Sequence, residues 1–368
     1  MHATDAGRAV HGQLGGNLLR LVQIRSEEVI REMTAGPERI LLAHGGGGQL
    51  MSRLIQERIL PKFRNETLSE LADAAHLALP SGDLCFTTDS YVVKPLFFRG
   101  GDIGKLAVCG TVNDLAVSGA RPLVLSLSLI IEEGLPFARL RRLLASVRAA
   151  ADEAGVIVAC GDTKVVESGK ADGLYITTSG IGEICGKGTV SIHNAVPGDA
   201  VIVSGEIGLH GVAVMAARQQ LGFASVAKSD VAPLNRMLEP LLKELDVHAM
   251  RDPTRGGCSA ALHEIAAASG VSIVLDEDAL PVPDVVQGAC ALLGTEALEI
   301  ANEGKALVLL PREQAERALA LLRSHRYGEK ATMIGRVVPK GAFPVTITTA
   351  LGERLVDAPR GELLPRIC

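Results

Sequence analysis

From about Ile40 onward, apolar positions recur with a period near two or near 3.6, and the switches between these periods mark the predicted elements. Leu84-Cys85-Phe86-Thr87-Thr88 reads as a strand that runs into Asp89. Asp102, after Gly101, can cap a helix whose apolar face starts with Ile103, Leu106 and Ala107. That helix passes through Asn113-Asp114 and stops at Gly119. Pro122 to Ile131 reads as a long strand. Leu140, Leu143, Leu144, Val147 and Ala151 recur at helical spacing, and Gly155 ends their helix. Val156 to Cys160 then reads as a strand that delivers Gly161-Asp162-Thr163-Lys164 into a loop, and Tyr175 to Gly180 as another strand.

Gly186-Lys187-Gly188 and Val196-Pro197-Gly198-Asp199 mark a seam. Beyond it the pattern predicts strands at 200–204, 272–275, 305–310, 332–337 and 344–348. It predicts helices from about Gly211 and at 234–245, 258–268 and 312–323. Both halves are mixed α/β, each with enough apolar sequence for its own core. The expected division is an N-terminal extension (1–38), a first domain (39–186), a second α/β domain (187–351) and a flexible tail (352–368).

Composition narrows the possibilities. The 368 residues are 47 % hydrophobic and mean hydropathy is +0.26, so the chain can fill two cores. The net charge of −5, the absence of Trp and an aromatic content of 3 % argue against a nucleic-acid partner. No apolar run is long enough for a membrane helix and no signal peptide is visible, so a cytoplasmic protein is expected. Seven cysteines without a CxxC pair suit a reducing compartment. Cys85, Cys109 and Cys160 lie in apolar runs and read as small buried hydrophobes. Cys368 is different, because it is the last residue, where a chain is normally mobile and wet.

Four acidic segments share a setting at strand ends or helix starts: Thr88-Asp89-Ser90, Val112-Asn113-Asp114, Gly161-Asp162-Thr163-Lys164, and Arg251-Asp252-Pro253-Thr254-Arg255-Gly256-Gly257. Asn-Asp is a poor choice for a helix interior, so its presence there asks for a reason beyond the helix. Carboxylates that converge repel one another unless a cation sits between them, and Mg2+ carrying a nucleotide phosphate is the usual one. Four unrelated caps and turns are the alternative. His44-Gly45-Gly46-Gly47-Gly48 is either an anion-cradling backbone or a hinge. Arg255-Gly256-Gly257, before a predicted helix, is a second anion candidate. No Walker loop is present.

These segments, in this order, resemble the superfamily of aminoimidazole ribonucleotide synthetase and selenophosphate synthetase. The ending Pro365-Arg366-Ile367-Cys368, with Asn302-Glu303-Gly304-Lys305, narrows the resemblance to the HypE family of carbamoyl dehydratases in hydrogenase maturation. It runs from about residue 38 to the end. The extension before it is longer than the family needs.

The resemblance implies a two-domain aminoimidazole ribonucleotide synthetase-like fold and a homodimer formed through the N-terminal domains. It implies ATP and Mg2+ as cofactors. A carbamoyltransferase, HypF, loads Cys368; the enzyme uses ATP to dehydrate the S-carbamoyl group to S-cyanate; the iron-scaffold proteins HypC and HypD then receive the cyanide for the nickel–iron hydrogenase. It assigns Asp89, Asp114, Asp162 and Asp252 to the metal. His44, Gly45, Gly46, Gly47, Gly48, Asn113, Thr163, Arg255, Gly256 and Gly257 go to the nucleotide, and Cys368, Lys164 and Glu303 to catalysis.

By themselves, Lys164 also reads as a solvated loop lysine, Glu303 as a turn acid and the tail as a frayed end. A tail of about eight residues from Gly361 reaches roughly 25 Å when extended. Gly361 permits a swing, Pro365 stiffens the end, and Arg366 can offset the terminal carboxylate beside the thiol. Two other functions remain: a small-molecule synthetase of the same superfamily, and a non-catalytic assembly scaffold. The synthetases would carry an N-terminal reactive thiol or a ribonucleotide-phosphate pocket. Here the glycine run holds His44 and no Cys.

Overall fold

The segments with period-two alternation in the first half assemble into one four-stranded sheet. The structure, a computed structural model, describes residues 39–45, 48–69, 77, 79–80, 82–186, 188–219, 227–359 and 367–368. After short helical turns between Leu42 and Ser69 come strand β1 (Leu84–Tyr91), helix α1 (Ile103–Val117), strand β2 (Ala120–Glu132), helix α2 (Phe137–Ala154) and strands β3 (Ile157–Val166) and β4 (Leu174–Ile184). The spatial order is β1-β4-β2-β3. β2 and β3 run parallel through the α2 crossover, and the other pairs are antiparallel.

Both helices cover the same face of this sheet. Asp102 caps α1 as expected: its Oδ1 accepts the N–H groups of Gly104 at 2.9 Å and Lys105 at 3.0 Å. Gly119, at φ +81°, follows the helix end. Every residue of α1 is buried except Lys105 and Asp114. A helix buried on nearly all sides lies between two layers; one layer is the sheet and the other is the second half of the chain. α2 is amphipathic, with Leu140, Leu143, Leu144 and Val147 inward and charged residues outward.

Among the described residues nothing covers the other sheet face. Phe86 is 68 % exposed there, and Ile130 and Ile157 are also exposed. On β2, Leu125, Leu127, Leu129 and Ile131 face the helices, while Ser128 and Ile130 alternate to the open side. Cys160 is exposed rather than buried, whereas Cys109 is buried.

The segment Gly161-Asp162-Thr163-Lys164 is a second correction. It is the middle of β3, not a loop. Gly161 is required there because a side chain would strike the carbonyl oxygen of Leu127 on β2.

The second half forms a seven-stranded sheet from β5 (Asp199–Val203), β6 (Ala249–Arg251), β7 (Ser272–Asp276), β8 (Leu307–Pro311), β9 (Thr332–Val338), β10 (Val345–Thr349) and β11 (Gly352–Leu355), in the order β11-β10-β7-β9-β5-β8-β6. Its helices are α3 (Leu209–Gln219), α4 (Asn235–Glu244), α5 (Gly257–Ser269), α6 (Asp284–Leu293) and α7 (Ala315–Arg323). α5 packs on one face through Leu262 and Ile265, and α4 and α7 on the other through Leu238, Leu241, Leu319 and Leu322. β5 is accordingly buried along its whole length. Strand β11 falls in the segment expected to be an irregular tail; all four of its residues are exposed, so it carries no alternation to read.

Candidate functional site

The cleft lies where α1 meets the second half of the chain, and two asparagines hold it together. Asn113 donates from Nδ2 to the carbonyls of Ala232 (3.1 Å) and Glu303 (3.2 Å), and its Oδ1 accepts the Leu234 N–H at 2.8 Å. It is 1 % exposed and its amide is fully engaged with backbone, so its expected contact with a nucleotide is corrected to a bolt between the two halves. Asn302 does similar work. Its Oδ1 accepts from Gly208 N–H at 2.7 Å, and its Nδ2 donates to Pro253 and Ile300 carbonyls at 3.0 Å each. The loops bearing Asp252 and Glu303 are thereby fixed next to α1.

Asp114, one residue beyond the bolt, faces the cleft. It accepts a hydrogen bond from Thr87 Oγ1 on β1 at 3.1 Å. Burial, reinforced by the charge of Asp89, pushes its carboxyl up to about 6. Asp252 follows β6, and burial with the charges of Asp114 and Asp89 pushes it up to about 7. Three carboxyls from β1, α1 and the loop after β6 thus form one repelling cluster. Among the described residues no three such groups stand close enough together to hold a metal ion, so they are neighbours rather than a closed ligand set. Hard oxygen donors with excess negative charge are nevertheless the chemistry that suits Mg2+.

Glu303 borders this cluster and is 3 % exposed. Its N–H donates to Asp230 Oδ1 at 3.2 Å, and Asp230 pairs through Oδ2 with the buried Lys305 at 3.2 Å. Burial, followed by the charges of Asp252, Asp230 and Asp89, raises the Glu303 carboxyl well above the usual range. Its Oε1 has no hydrogen-bond partner among the described residues. The carboxyl and the Cys368 thiol are close enough to shift each other's proton affinity.

The expectation of a wet, free chain end is therefore corrected for this structure. Ile367 is 2 % exposed and packs with Val214, Val231 and Ala301. Burial of one such side chain stabilises by roughly 1.5–3 kcal/mol. Cys368 is partly buried, and burial together with Glu303 pushes its thiol well above the ordinary range, so the docked sulfur is a neutral thiol. Gly361, Pro365 and Arg366 lie outside the described residues.

Other expected site residues stand elsewhere. Asp162 and Lys164 pair with each other at 3.1 Å, both more than half exposed, on the open face of β3. β3 and β1 are opposite edges of the sheet, separated by three strand spacings, or about 14 Å. Asp89 lies in register with Thr178, whose hydroxyl donates to the Ala107 carbonyl on the helix face, so Asp162 and Asp89 also look in opposite directions. One chain cannot bring Asp162 to the ion that Asp89 would hold. Thr163 points inward and is 5 % exposed.

His44 is buried too, its Nδ1 accepting the Leu41 N–H at 3.0 Å and its ring edge-on to Phe137; burial lowers its pKa and keeps it neutral. It closes a turn and does not face an anion. Gly45 ends that turn and Gly48 starts the next helix, while Gly46 and Gly47 lie outside the described residues. Arg255 is exposed, and its charge reaches both Asp114 and Cys368. Gly256 and Gly257 have φ of +76° and +60°, and a side chain on Gly257 would strike the carbonyls of Leu298 and Ile300.

Two family models match: AIR synthase related protein, N-terminal domain, over residues 71–184, and its C-terminal domain over 196–347. The carbamoyl dehydratase HypE of Cupriavidus necator is 46 % identical over 333 residues, covering 90 % of this chain and 95 % of that one. This chain belongs to the HypE carbamoyl dehydratase family. The crystal structure of hydrogenase maturation protein HypE in complex with ATP superposes with a TM-score of 0.86 at 48 % identity, covering 89 % of this chain and 99 % of the other. A chain from the crystal structure of a HypE–HypF complex matches with a TM-score of 0.73 at 50 % identity, covering 83 % and 99 %. The chain is thus an enzyme of this family, and none of its described helices is long and apolar enough to cross a membrane.

Sequence reasoning missed His210, Asp230 and Lys305 as builders of this cleft. One signal was available for Asp230: a side chain on Gly304 would run into its carbonyl oxygen, so the glycine of Asn302-Glu303-Gly304-Lys305 marks a close backbone approach.

Proposed function

We propose that this enzyme dehydrates an S-carbamoyl group on its own Cys368 to S-cyanate at the expense of ATP, in the cytoplasm, for hydrogenase maturation. The observation that carries the reading is the seating of the terminal thiol against Glu303, beside the Asp89, Asp114 and Asp252 cluster. In this reading Asp89, Asp114 and Asp252 hold Mg2+. When bound, Mg-ATP supplies a γ-phosphoryl group to the carbamoyl oxygen, which then leaves as phosphate as the C≡N bond forms.

The chain's own groups supply position and proton transfer. Ile367 brings the loaded sulfur into the cleft. Glu303, in the ionised form favoured once a cation offsets the charges of Asp252 and Asp89, takes an amide N–H proton from the carbamoyl nitrogen. Arg255, whose charge reaches the tail, faces the phosphates with Gly256 and Gly257. The second N–H proton leaves with the departing phosphate, whose oxygen accepts it, so that the amide becomes a nitrile. The docked thiol is held protonated and is a poor nucleophile. Loading by a HypF-type carbamoyltransferase therefore takes place with the tail out of the cleft, and cyanide delivery to HypC and HypD requires a second exit.

Asp162 and Lys164 enter this reading from a second copy. The uncovered sheet face, with Phe86 and Ile130, pairs with the same face of a partner, and each copy lends its β3 to the other's cleft. Mass spectrometry of the full chain tests the chemistry. With carbamoyl donor alone, the peptide ending in Cys368 gains one carbamoyl group; after ATP is added it loses one water. Nucleotide hydrolysis with the carbamoyl group intact would rule the reading out.

A further inference from the structure

His210 is fully buried on α3 and touches the chain end from behind. Its Nε2 lies 2.8 Å from the Ile367 carbonyl oxygen, and its Nδ1 lies 2.9 Å from Ser229 Oγ. A carbonyl can only accept, so Nε2 carries the hydrogen. Burial lowers the pKa of His210 against the pull of Asp230, and a neutral ring leaves Nδ1 bare. Ser229 then donates to Nδ1. Its own Oγ accepts the Val231 N–H at 3.2 Å, and its N–H is tied to the Arg99 carbonyl at 2.9 Å. Phe98 holds the ring edge-on at a centroid distance of 5.4 Å.

Next to His210, Gly211 brings the helix backbone up to the chain end: a Cβ there would lie 3.4 Å from Ile367 Cδ1 and only 2.6 Å from Ile300 Cγ2. The apolar socket gives the tail a place to rest, but a socket is tolerant of sliding. One directional hydrogen bond to the carbonyl before Cys368 fixes the last peptide, and with it the direction in which the thiol projects.

We propose that His210 is the positioning residue that sets the register of the docked chain end, by donating from Nε2 to the Ile367 carbonyl while Ser229 donates to Nδ1 and holds the ring from behind. The proposal rests on the dehydratase reading for the meaning of the docked thiol, but its geometry stands apart from the carboxylate cluster.

The test is alkylation of Cys368 by iodoacetamide in the full-length chain, followed by mass spectrometry of the terminal peptide, with neither nucleotide nor carbamoyl donor present. His210→Gln keeps a donor at the same reach; His210→Met has similar bulk and none. Cys109 and Cys258, both buried, serve as internal reporters of an intact fold. Cys368 in His210→Met is expected to react about tenfold faster than in wild type, the factor that corresponds to about 1.4 kcal/mol. His210→Gln stays within about threefold of wild type, and Ser229→Ala lies between.

Equal rates in the Gln and Met variants, with Cys109 still protected, would overturn the proposal. If the Met variant labels Cys109, nitrogen NMR of the histidines decides. The Nε2–H resonance of His210 must shift when Ile367 and Cys368 are removed, and an unmoved resonance rejects the contact. Because no turnover is measured, dehydration can fail with the latch intact, and the latch can fail while dehydration proceeds.

Discussion

Asp89 and Asp162 lie on opposite edges and opposite faces of one four-stranded sheet, and their surroundings differ accordingly. Asp89 sits on the helix-covered face among buried carboxyls that raise one another's proton affinity. Asp162 stands on the open face, half exposed, with Lys164 at 3.1 Å. The first setting stores repulsion that a cation relieves. The second is a solvated pair of little energetic weight in a single subunit. A residue type shared by four motifs therefore does not imply a shared place. The covered face makes a site within one chain, and the open face contributes only if another molecule comes to it.

The largest expected effect breaks the covered side. Glu303→Gln removes the proton acceptor and keeps the volume, and single-turnover dehydration falls by roughly 10²–10⁴. Carbamoylation of Cys368 persists in that variant; its loss as well would mean that Glu303 shapes the tail rather than the reaction. Next comes the division between the faces. Asp114→Asn and Asp162→Asn are each expected to be inactive, but refolding them together yields mixed dimers with one intact cleft and roughly a quarter of wild-type activity. No recovery would place Asp162 outside the site. Phe86→Asp sharpens the same point: sedimentation is expected to show a folded monomer, because the side chain is already exposed within the subunit.

The smallest effect is on stability. Asp114 and Asp252 are raised from 3.8 to about 6 and about 7, so the fold binds protons more tightly than the unfolded chain does. The contribution of these two carboxyls to metal-free stability is therefore greatest below about pH 4 and is lost as pH rises through 6 and 7. Tm drops by several degrees across that range, and Mg2+ restores it at pH 7.5. Asp114→Asn should flatten the pH dependence and weaken the Mg2+ response; an unchanged profile would remove Asp114 from the cluster.

Much of this was legible in the residue pattern, and the failures are physical. The cap at Asp102, the stop at Gly119, the α2 stripe and β5 were readable because their signals are local. Gly161-Asp162 looked like a loop because glycine and aspartate break strands in isolation. The close approach of β2 that demands Gly161 is a tertiary fact. Asn113-Asp114 was rightly singled out as odd within a helix, yet only the fold separates the bolt from the cleft carboxyl. His210 gave no signal, since one histidine beside a glycine resembles many others until a chain end arrives from 157 residues away.

That arrival makes the C-terminus a dead end in the literal sense. While Ile367 keeps its seat, whatever is attached beyond Cys368 is carried toward Glu303 and the carboxylate cluster, so an addition there competes with docking. A purification handle belongs at the opposite terminus, since one placed after Cys368 would shift the balance toward the undocked half of the cycle.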